Sequence, residues 1–183
     1  MKCLMLIVDN FEDVEAIATL DVLKRGKNEV VLASLMGRKN ITTKCGNKLN
    51  LDYLIEDVNP LDFDCLIIPG GPGSFMIMPT LKIVDELIHL FVKNKKVVAS
   101  ICAAPHLVGR LGYLSDKSYT VHPGFEDKII GGKYLKEKGV VVDGLFITAK
   151  SMYYSLEFGL AIHGYFYGEE AKEALRLACQ GEK

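Results

Sequence analysis

One cysteine stands in a setting that favours covalent chemistry. Cys102 follows an apolar run at residues 96–101 (KVVASI) and precedes two alanines and Pro105. This order predicts a buried strand ending at Cys102 and a helix beginning near Pro105, and the small residues permit the sharp turn of a nucleophile elbow. At a helix N-terminus, free N–H groups and the helix dipole favour thiolate over thiol. Cys102 is therefore the predicted nucleophile.

The other cysteines have weaker settings. Cys3 and Cys65 lie inside apolar runs, Cys179 is predicted to be a surface thiol, and nothing around Cys45 argues for activation. For Cys102 the simpler interpretation, a small buried core residue, remains open. Five scattered cysteines without a Cys-x-x-Cys pair disfavour a disulfide framework or a metal site. They favour a reducing, cytoplasmic location, and no cofactor is expected.

A glycine-rich turn follows another apolar run. Residues 64–68 (DCLII) predict a buried strand, and residues 69–73 read PGGPG. Such a turn can bind phosphate, but neither a Walker pattern nor Gly-x-Gly-x-x-Gly is present. A second interpretation makes the N–H groups of Gly71 and Ala103 an oxyanion hole beside the sulfur. A plain strand-to-helix turn is the third possibility.

Acidic residues open the first predicted helix. Glu12 and Asp13 are interpreted as complements of the helix dipole. Glu15 lies about one turn into the helix, close to its apolar side, where its carboxyl group can face Cys102. Burial would raise the pKa of this group, so that it holds a proton, hydrogen-bonds the thiolate and serves as general acid or base.

Two histidines lie near the predicted site in sequence. His122 stands at a predicted strand end beside a turn and is the candidate to lie near Cys102, although a structural role remains open. His106 follows the elbow and is expected to cap the helix or to be exposed.

The elements that position these residues alternate along the chain. The predicted strands cover residues 4–8, 29–35, 64–68, 96–101 and 119–121, with a β excursion at 41–55 and a hairpin at 139–149. The predicted helices cover 14–25, 79–94, a segment from about 105, 156–167 and 170–179. Alternation predicts an α/β flavodoxin-like sandwich, a mostly parallel sheet with helices on both faces, in a single domain of residues 1–183. Sites in such sheets lie at the carboxyl ends of the strands, as residues 9–15, 69–73 and 102–105 do.

Composition narrows the choice of partners. The formal net charge is −1 without a basic patch, which makes nucleic acid an unlikely partner. No segment has the length to span a membrane. The N-terminal apolar run stops at Asp9 without a cleavage site and is interpreted as the first strand, not a signal peptide.

Taken together, six segments resemble the ThiJ/PfpI superfamily, in the branch of the parkinsonism-associated protein and its bacterial relatives. They are residues 9–25, 67–71 (IIPGG), 99–105 (ASICAAP), 120–123 (TVHP), 143–148 and 155–162. The resemblance implies a flavodoxin-like sandwich, a homodimer and activity without a cofactor. It also implies that Cys102 is the oxidisable nucleophile, Glu15 the protonated glutamate beside it, Gly71 and Ala103 the nearby backbone groups, and His122 the nearby histidine.

Members of this branch are described as glyoxalases or deglycases acting on small α-oxoaldehydes such as methylglyoxal and glyoxal, or as oxidative-stress sensors and chaperones. A cysteine peptidase ranks low, because Ala103 stands where the peptidase branch has histidine. A role in thiazole biosynthesis ranks low as well. Class I glutamine amidotransferases share the elbow, but residues 163–165 (HGY) lack their late His-x-Glu pair. The resemblance therefore favours a thiol-dependent aldehyde enzyme linked to stress protection.

Overall fold

A computed structural model describes residues 1–182. The strands in chain order are β1 (Lys2–Ile7), β2 (Glu29–Ser34), β3 (Asn40–Thr42), β4 (Lys48–Asn50), β5 (Tyr53–Leu54), β6 (Cys65–Ile68), β7 (Val97–Ile101), β8 (Ser118–Tyr119), β9 (Lys133–Tyr134), β10 (Val140–Asp143) and β11 (Phe146–Ala149). The α-helices are α1 (Asp13–Arg25), α2 (Pro72–Met76), α3 (Lys82–Lys93), α4 (Pro105–Gly109), α5 (Ser155–Tyr167) and α6 (Glu169–Gln180).

Seven of these strands form the central sheet, in the order β10-β11-β7-β6-β1-β2-β5. Every neighbouring pair is parallel except β10 and β11, which form the hairpin at the edge. The predicted mostly parallel α/β sheet is thereby confirmed. The carboxyl ends of β1, β6 and β7 lie side by side, because these strands are neighbours in parallel register.

Both faces of the sheet are buried, which explains why its central strands are continuous apolar runs. In β1, Leu4 and Leu6 pack into the cluster that contains Phe91 of α3, whereas Met5 and Ile7 pack into the cluster that contains Phe158 of α5. Alternate residues of a strand point to opposite faces, so one strand contributes to both clusters. The prediction of helices on both faces is confirmed.

Some predicted boundaries differ from the structure. The excursion at 41–55 resolves into the β3–β4 hairpin and the edge strand β5. The helix predicted from Pro79 begins at Lys82, because Pro79 lies in a 3-10 turn and the extended Leu81 interrupts the helical backbone. The helix after the elbow is only five residues long. Within residues 1–182, no helix has the length and apolar character required to cross a membrane.

Candidate active site

Cys102 lies at the carboxyl end of β7 in a strained turn. Its φ is 63°, in the left-handed region that non-glycine residues rarely adopt. The Cys102 N–H donates to the Ala149 carbonyl at 2.9 Å, and the Cys102 carbonyl accepts the His122 N–H at 2.8 Å. These bonds on both sides hold the residue in its unfavourable conformation. The side chain is partly buried and has the geometry of the predicted nucleophile elbow.

Glu15 brings a buried carboxyl group to this cysteine from the first turn of α1. The residue is 1% exposed, and its Oε2 accepts the Gly70 N–H at 2.8 Å. A Cβ added to Gly70 would lie 2.5 Å from Glu15 Oε2 and 2.6 Å from Cys102 Cβ, so the carboxyl group and the cysteine meet at this glycine. The other oxygen, Oε1, is buried and has no hydrogen-bond partner within residues 1–182. One carboxylate oxygen is therefore fixed by backbone, and the group faces the sulfur.

Burial dominates the proton affinity of this carboxyl group. Desolvation raises the pKa of Glu15 from 4.5 to about 7, although the hydrogen bonds with Cys102 and Gly70 act in the opposite direction. Near neutral pH, Glu15 therefore exists in both protonation states. A group with this pKa can give and take protons at physiological pH.

The pKa of the Cys102 thiol is raised, whereas the sequence predicted a lowered value. Burial first, and then the charge of Glu15, raise the pKa of Cys102 to about 12, whereas the N–H groups of Gly71 and Ala103 lower it. The short helix α4 provides little dipole to offset these effects. Protonation of Glu15 removes the charge repulsion, so the pKa of the thiol depends on whether Glu15 is ionised.

The two predicted backbone donors act on the thiol in the expected direction. The N–H groups of Gly71 and Ala103 lower the pKa of Cys102 and so favour its ionised form. Gly71 has a φ of 86°, and a Cβ at this position would lie 2.4 Å from the Glu12 nitrogen. Glycine is therefore required at this position. The arrangement offers two donors to negative charge on or beside the sulfur.

The histidines have different surroundings. The main chain of His122 contacts Cys102, but its ring is exposed and its Nδ1 donates to the Pro123 carbonyl at 2.9 Å. The expectation that His106 is a cap or exposed is wrong, because the residue is 4% exposed. Its Nδ1 donates to the Ala103 carbonyl at 2.7 Å, and this bond stabilises the turn that follows Cys102.

Two residues assigned only to the helix dipole have a larger structural role. The Glu12 carboxylate forms an ion pair with Lys44, Oε2 to Nζ at 2.6 Å. Asp13 accepts hydrogen bonds from Thr43 Oγ1, Asn47 Nδ2 and the Cys45 N–H. Both residues thus bind the β3–β4 turn to the start of α1. No sequence signal revealed this, because the partners lie about thirty positions downstream.

These residues also form a cluster of possible metal ligands. Within residues 1–182, ligand atoms of Glu12, Asp13 and Cys45 lie within 4.8 Å of one another. However, the Lys44 ammonium already occupies the Glu12 carboxylate. Burial would raise the pKa of Asp13, but hydrogen bonds from Thr43, Asn47 and Cys45 lower it to about 2. The carboxylates thus have partners within the protein, and we assign no metal here.

A family model and several known proteins match this chain. The sequence model of the DJ-1/PfpI family matches residues 1–164. A protein of Pyrococcus abyssi named as a deglycase is 37% identical over 151 residues, which cover 82% of this chain and 90% of that protein. The DJ-1 homolog B of Arabidopsis thaliana is 33% identical over 170 residues and 92% of this chain.

The lengths of the relatives differ. The chain spans 39% of that Arabidopsis protein and 44% of the related DJ-1 homolog A. Among solved structures, the crystal structure of Drosophila melanogaster DJ-1beta superposes with a TM-score of 0.90 at 27% identity. That alignment covers 100% of this chain and 98% of the fly chain, so it extends over the sheet and the elbow alike.

Proposed function

Because the chain belongs to the DJ-1/PfpI family, we propose that it is a cofactor-independent enzyme of the glyoxalase or deglycase type, acting on methylglyoxal or glyoxal through Cys102. One observation carries the proposal: a buried carboxyl group with a pKa of about 7 and the elbow cysteine meet at Gly70, and the N–H groups of Gly71 and Ala103 favour the ionised thiol. Relatives from three Pyrococcus species, 34–37% identical, are named as deglycases, which supports the choice of reaction class.

The first step forms a carbon–sulfur bond. Cys102 Sγ attacks the aldehyde carbon of the α-oxoaldehyde while its proton passes to the Glu15 carboxylate, since the pKa of the thiol is about 12 and the sulfur needs a base. The carbonyl electron pair moves to oxygen, and the N–H groups of Gly71 and Ala103 stabilise the resulting oxyanion. Glu15 then returns the proton to that oxygen and completes a hemithioacetal.

The second step moves hydrogen between neighbouring carbons. The ionised Glu15 removes the C–H proton of the hemithioacetal, a carbon–carbon double bond forms, and the ketone oxygen takes the displaced electron pair and the proton held by Glu15, which gives an enediol. Glu15 then removes the proton of the hydroxyl on the former aldehyde carbon and delivers it to the former ketone carbon, which gives a thioester of the 2-hydroxy acid. Water then hydrolyses the thioester, which releases lactate from methylglyoxal or glycolate from glyoxal and restores the thiol. The aldehyde carbon is oxidised as its neighbour is reduced, so no external electron carrier takes part.

The test measures lactate formed from methylglyoxal in a buffer free of amines and thiols. We expect Cys102→Ser to lower kcat/KM by about a thousandfold or more, and Glu15→Gln to lower it strongly, because nucleophile and base act as a unit. Cys179→Ser, which changes an exposed cysteine of α6, serves as the matched control. Wild-type protein that consumes aldehyde without forming lactate would refute the glyoxalase reaction.

A second candidate function is oxidative-stress sensing, with or without a chaperone-like role. The observation in its favour is that the donors around the partly exposed Cys102 can also bind sulfinate oxygens. Peroxide would oxidise the thiol to sulfenic and then sulfinic acid, releasing one water in each step. Peroxide titration followed by intact mass tests this, and resistance of Cys102 to oxidation during aldehyde turnover would exclude it.

A peptidase receives less support from the geometry. Within residues 1–182, the ring hydrogen bonds of His106 and His122 go to the carbonyls of Ala103 and Pro123, and neither ring bonds to Cys102. A cysteine peptidase needs a histidine that accepts the thiol proton. A role in thiazole biosynthesis has no feature of this site in its favour, so both remain minor alternatives.

We further propose a homodimer in the cytoplasm. Val14 and Ile17 of α1 are 40% and 41% exposed and line an apolar groove with Leu49. Burying this groove against a second copy would remove exposed apolar surface from water. All five cysteines are free, which is consistent with a reducing compartment.

A further inference from the structure

Lys44 forms an ion pair with Glu12, which lies three positions before the proposed base Glu15. Lys44 Nζ contacts Glu12 Oε2 at 2.6 Å. The Glu12 N–H in turn donates to the Gly70 carbonyl at 3.1 Å, and the Gly70 N–H binds Glu15 Oε2. A Cβ on Gly70 would lie 2.6 Å from Cys102 Cβ. Lys44 is thus linked through Glu12 to the Gly70 backbone, which packs against both Glu15 and Cys102.

The two members of this ion pair differ in their access to solvent. The Lys44 side chain is 48% exposed, whereas that of Glu12 is 9% exposed. The pair therefore presents its cationic end to a molecule arriving from solvent. An ammonium has three N–H donors, and the one hydrogen bond that Nζ makes within residues 1–182 goes to Glu12. Two donors remain for an acidic group on a ligand.

The charge of Lys44 also reaches the reacting groups. It lowers the pKa of Glu15, and ionised Cys102 is among the groups that raise the pKa of Lys44 itself, after the larger effects of Glu12. Coulomb effects of this kind act through space and need no direct contact. The positive charge of Lys44 also attracts an anion that approaches Cys102.

We infer that Lys44 is a specificity-determining residue that binds the carboxylate of an anionic aldehyde substrate while its carbonyl carbon contacts Cys102. The substrate class is an aldehyde or α-oxoaldehyde that carries a carboxylate near the reacting carbon. This inference rests on the proposed function for the identity of the nucleophile, and it extends the substrates from the neutral methylglyoxal and glyoxal to aldehydes that carry a carboxylate. Lys44 acts through binding and not through proton transfer.

The experiment compares two alkylating reagents of nearly equal size, anionic iodoacetate and neutral iodoacetamide. The protein carries Cys45→Ser and Cys179→Ser, which remove the two exposed thiols, and Cys3 and Cys65 are fully buried. Second-order rate constants for Cys102 come from intact mass against time. The ratio of the two constants is the readout. A change in the pKa of Cys102 alters both rates alike and cancels in this ratio.

Removing the cation should act on the anionic reagent alone. We expect Lys44→Met to lower the iodoacetate-to-iodoacetamide ratio by about fivefold at low salt, and Lys44→Arg to preserve it. Glu12→Gln should raise the ratio, because the ammonium loses its internal partner. Lys48→Met, which removes an exposed charge from β4, is the matched control for net charge and should leave the ratio unchanged.

Equal ratios in the Lys44→Met and Lys48→Met proteins would overturn the inference. High salt should erase the wild-type preference, because exposed charges are screened. Alkylation needs no turnover, so the outcome is independent of the lactate assay. Loss of lactate formation with an intact ratio effect refutes only the proposed function, and the reverse result refutes only the role of Lys44.

Discussion

Replacing Glu15 by glutamine should abolish a pH dependence of stability that the buried carboxyl group imposes. Glutamine has nearly the same shape, and its Oε1 can accept the Gly70 N–H that Glu15 Oε2 now accepts. The substitution therefore removes the titration and leaves the packing in place. Because Glu15 is 1% exposed, its ionisation is opposed by desolvation, and this effect has a calculable size.

The folded-state pKa of Glu15 is raised, so its contribution to stability is fully present below the unfolded value of 4.5 and is lost as pH rises through about 7. The span from 4.5 to about 7 corresponds to about 3 kcal/mol, at roughly 1.36 kcal/mol per pH unit. Relative to Glu15→Gln, the wild type should therefore lose about 3 kcal/mol of unfolding free energy between pH 4.5 and pH 8.

Urea unfolding of both proteins at several pH values measures this difference. Asp13→Asn is the matched control on the same helix. The pKa of Asp13 is lowered from 3.8 to about 2, so its stabilising effect is complete above 3.8 and is lost only as pH falls towards 2. The difference between wild type and Asp13→Asn should therefore be constant from pH 4.5 to 8.

A difference between wild type and Glu15→Gln that is the same at pH 5 and pH 8 would refute the reasoning. Glu15 would then keep an ordinary pKa despite its burial. The acid–base role that we propose for it near neutral pH would lose its physical basis, whatever the activity of the variant.

Three further predictions follow from the same contacts. Gly70→Ala should destabilise the fold by more than about 1 kcal/mol in urea unfolding and lower kcat, because the new methyl group would lie 2.6 Å from Cys102 Cβ and 2.5 Å from Glu15 Oε2; unchanged stability would contradict this packing. In alkylation with iodoacetamide across pH, Glu15→Gln should shift the thiol profile to lower pH, since the charge of Glu15 raises the pKa of Cys102; a shift to higher pH would show that Glu15 chiefly donates a proton to the thiolate. Val14→Glu should halve the mass seen by light scattering, whereas a wild-type monomer would exclude the proposed dimer.

The chemistry at the elbow was accessible from local sequence. An apolar run ending at Cys102, with small residues and proline after it, describes a strand, a turn and a helix without reference to the rest of the chain. The rule that parallel strands end at one edge then placed Glu15 and Gly71 beside the sulfur. In the structure, Glu15 Oε2 and Cys102 Cβ lie beside the same glycine, Gly70, and both Glu15 and Gly71 affect the pKa of Cys102.

Other features depended on distant parts of the chain. The Glu12–Lys44 pair arises because the β3–β4 turn folds back onto α1, and no periodicity in the sequence encodes that contact. The exposed ring of His122 and the buried ring of His106 likewise follow from how the segment after β8 packs on the elbow.

The sequence by itself determined the alternating element order and the mostly parallel sheet, and it singled out Cys102 as the predicted nucleophile, since apolar runs and turn residues act over a few positions. Only the tertiary structure decided the protonation of the site. The sequence predicted a thiolate, but burial and the nearby Glu15 raise the pKa of Cys102. The physical reason is that desolvation and Coulomb energies depend on which atoms surround a group in space, and that is set by the whole fold.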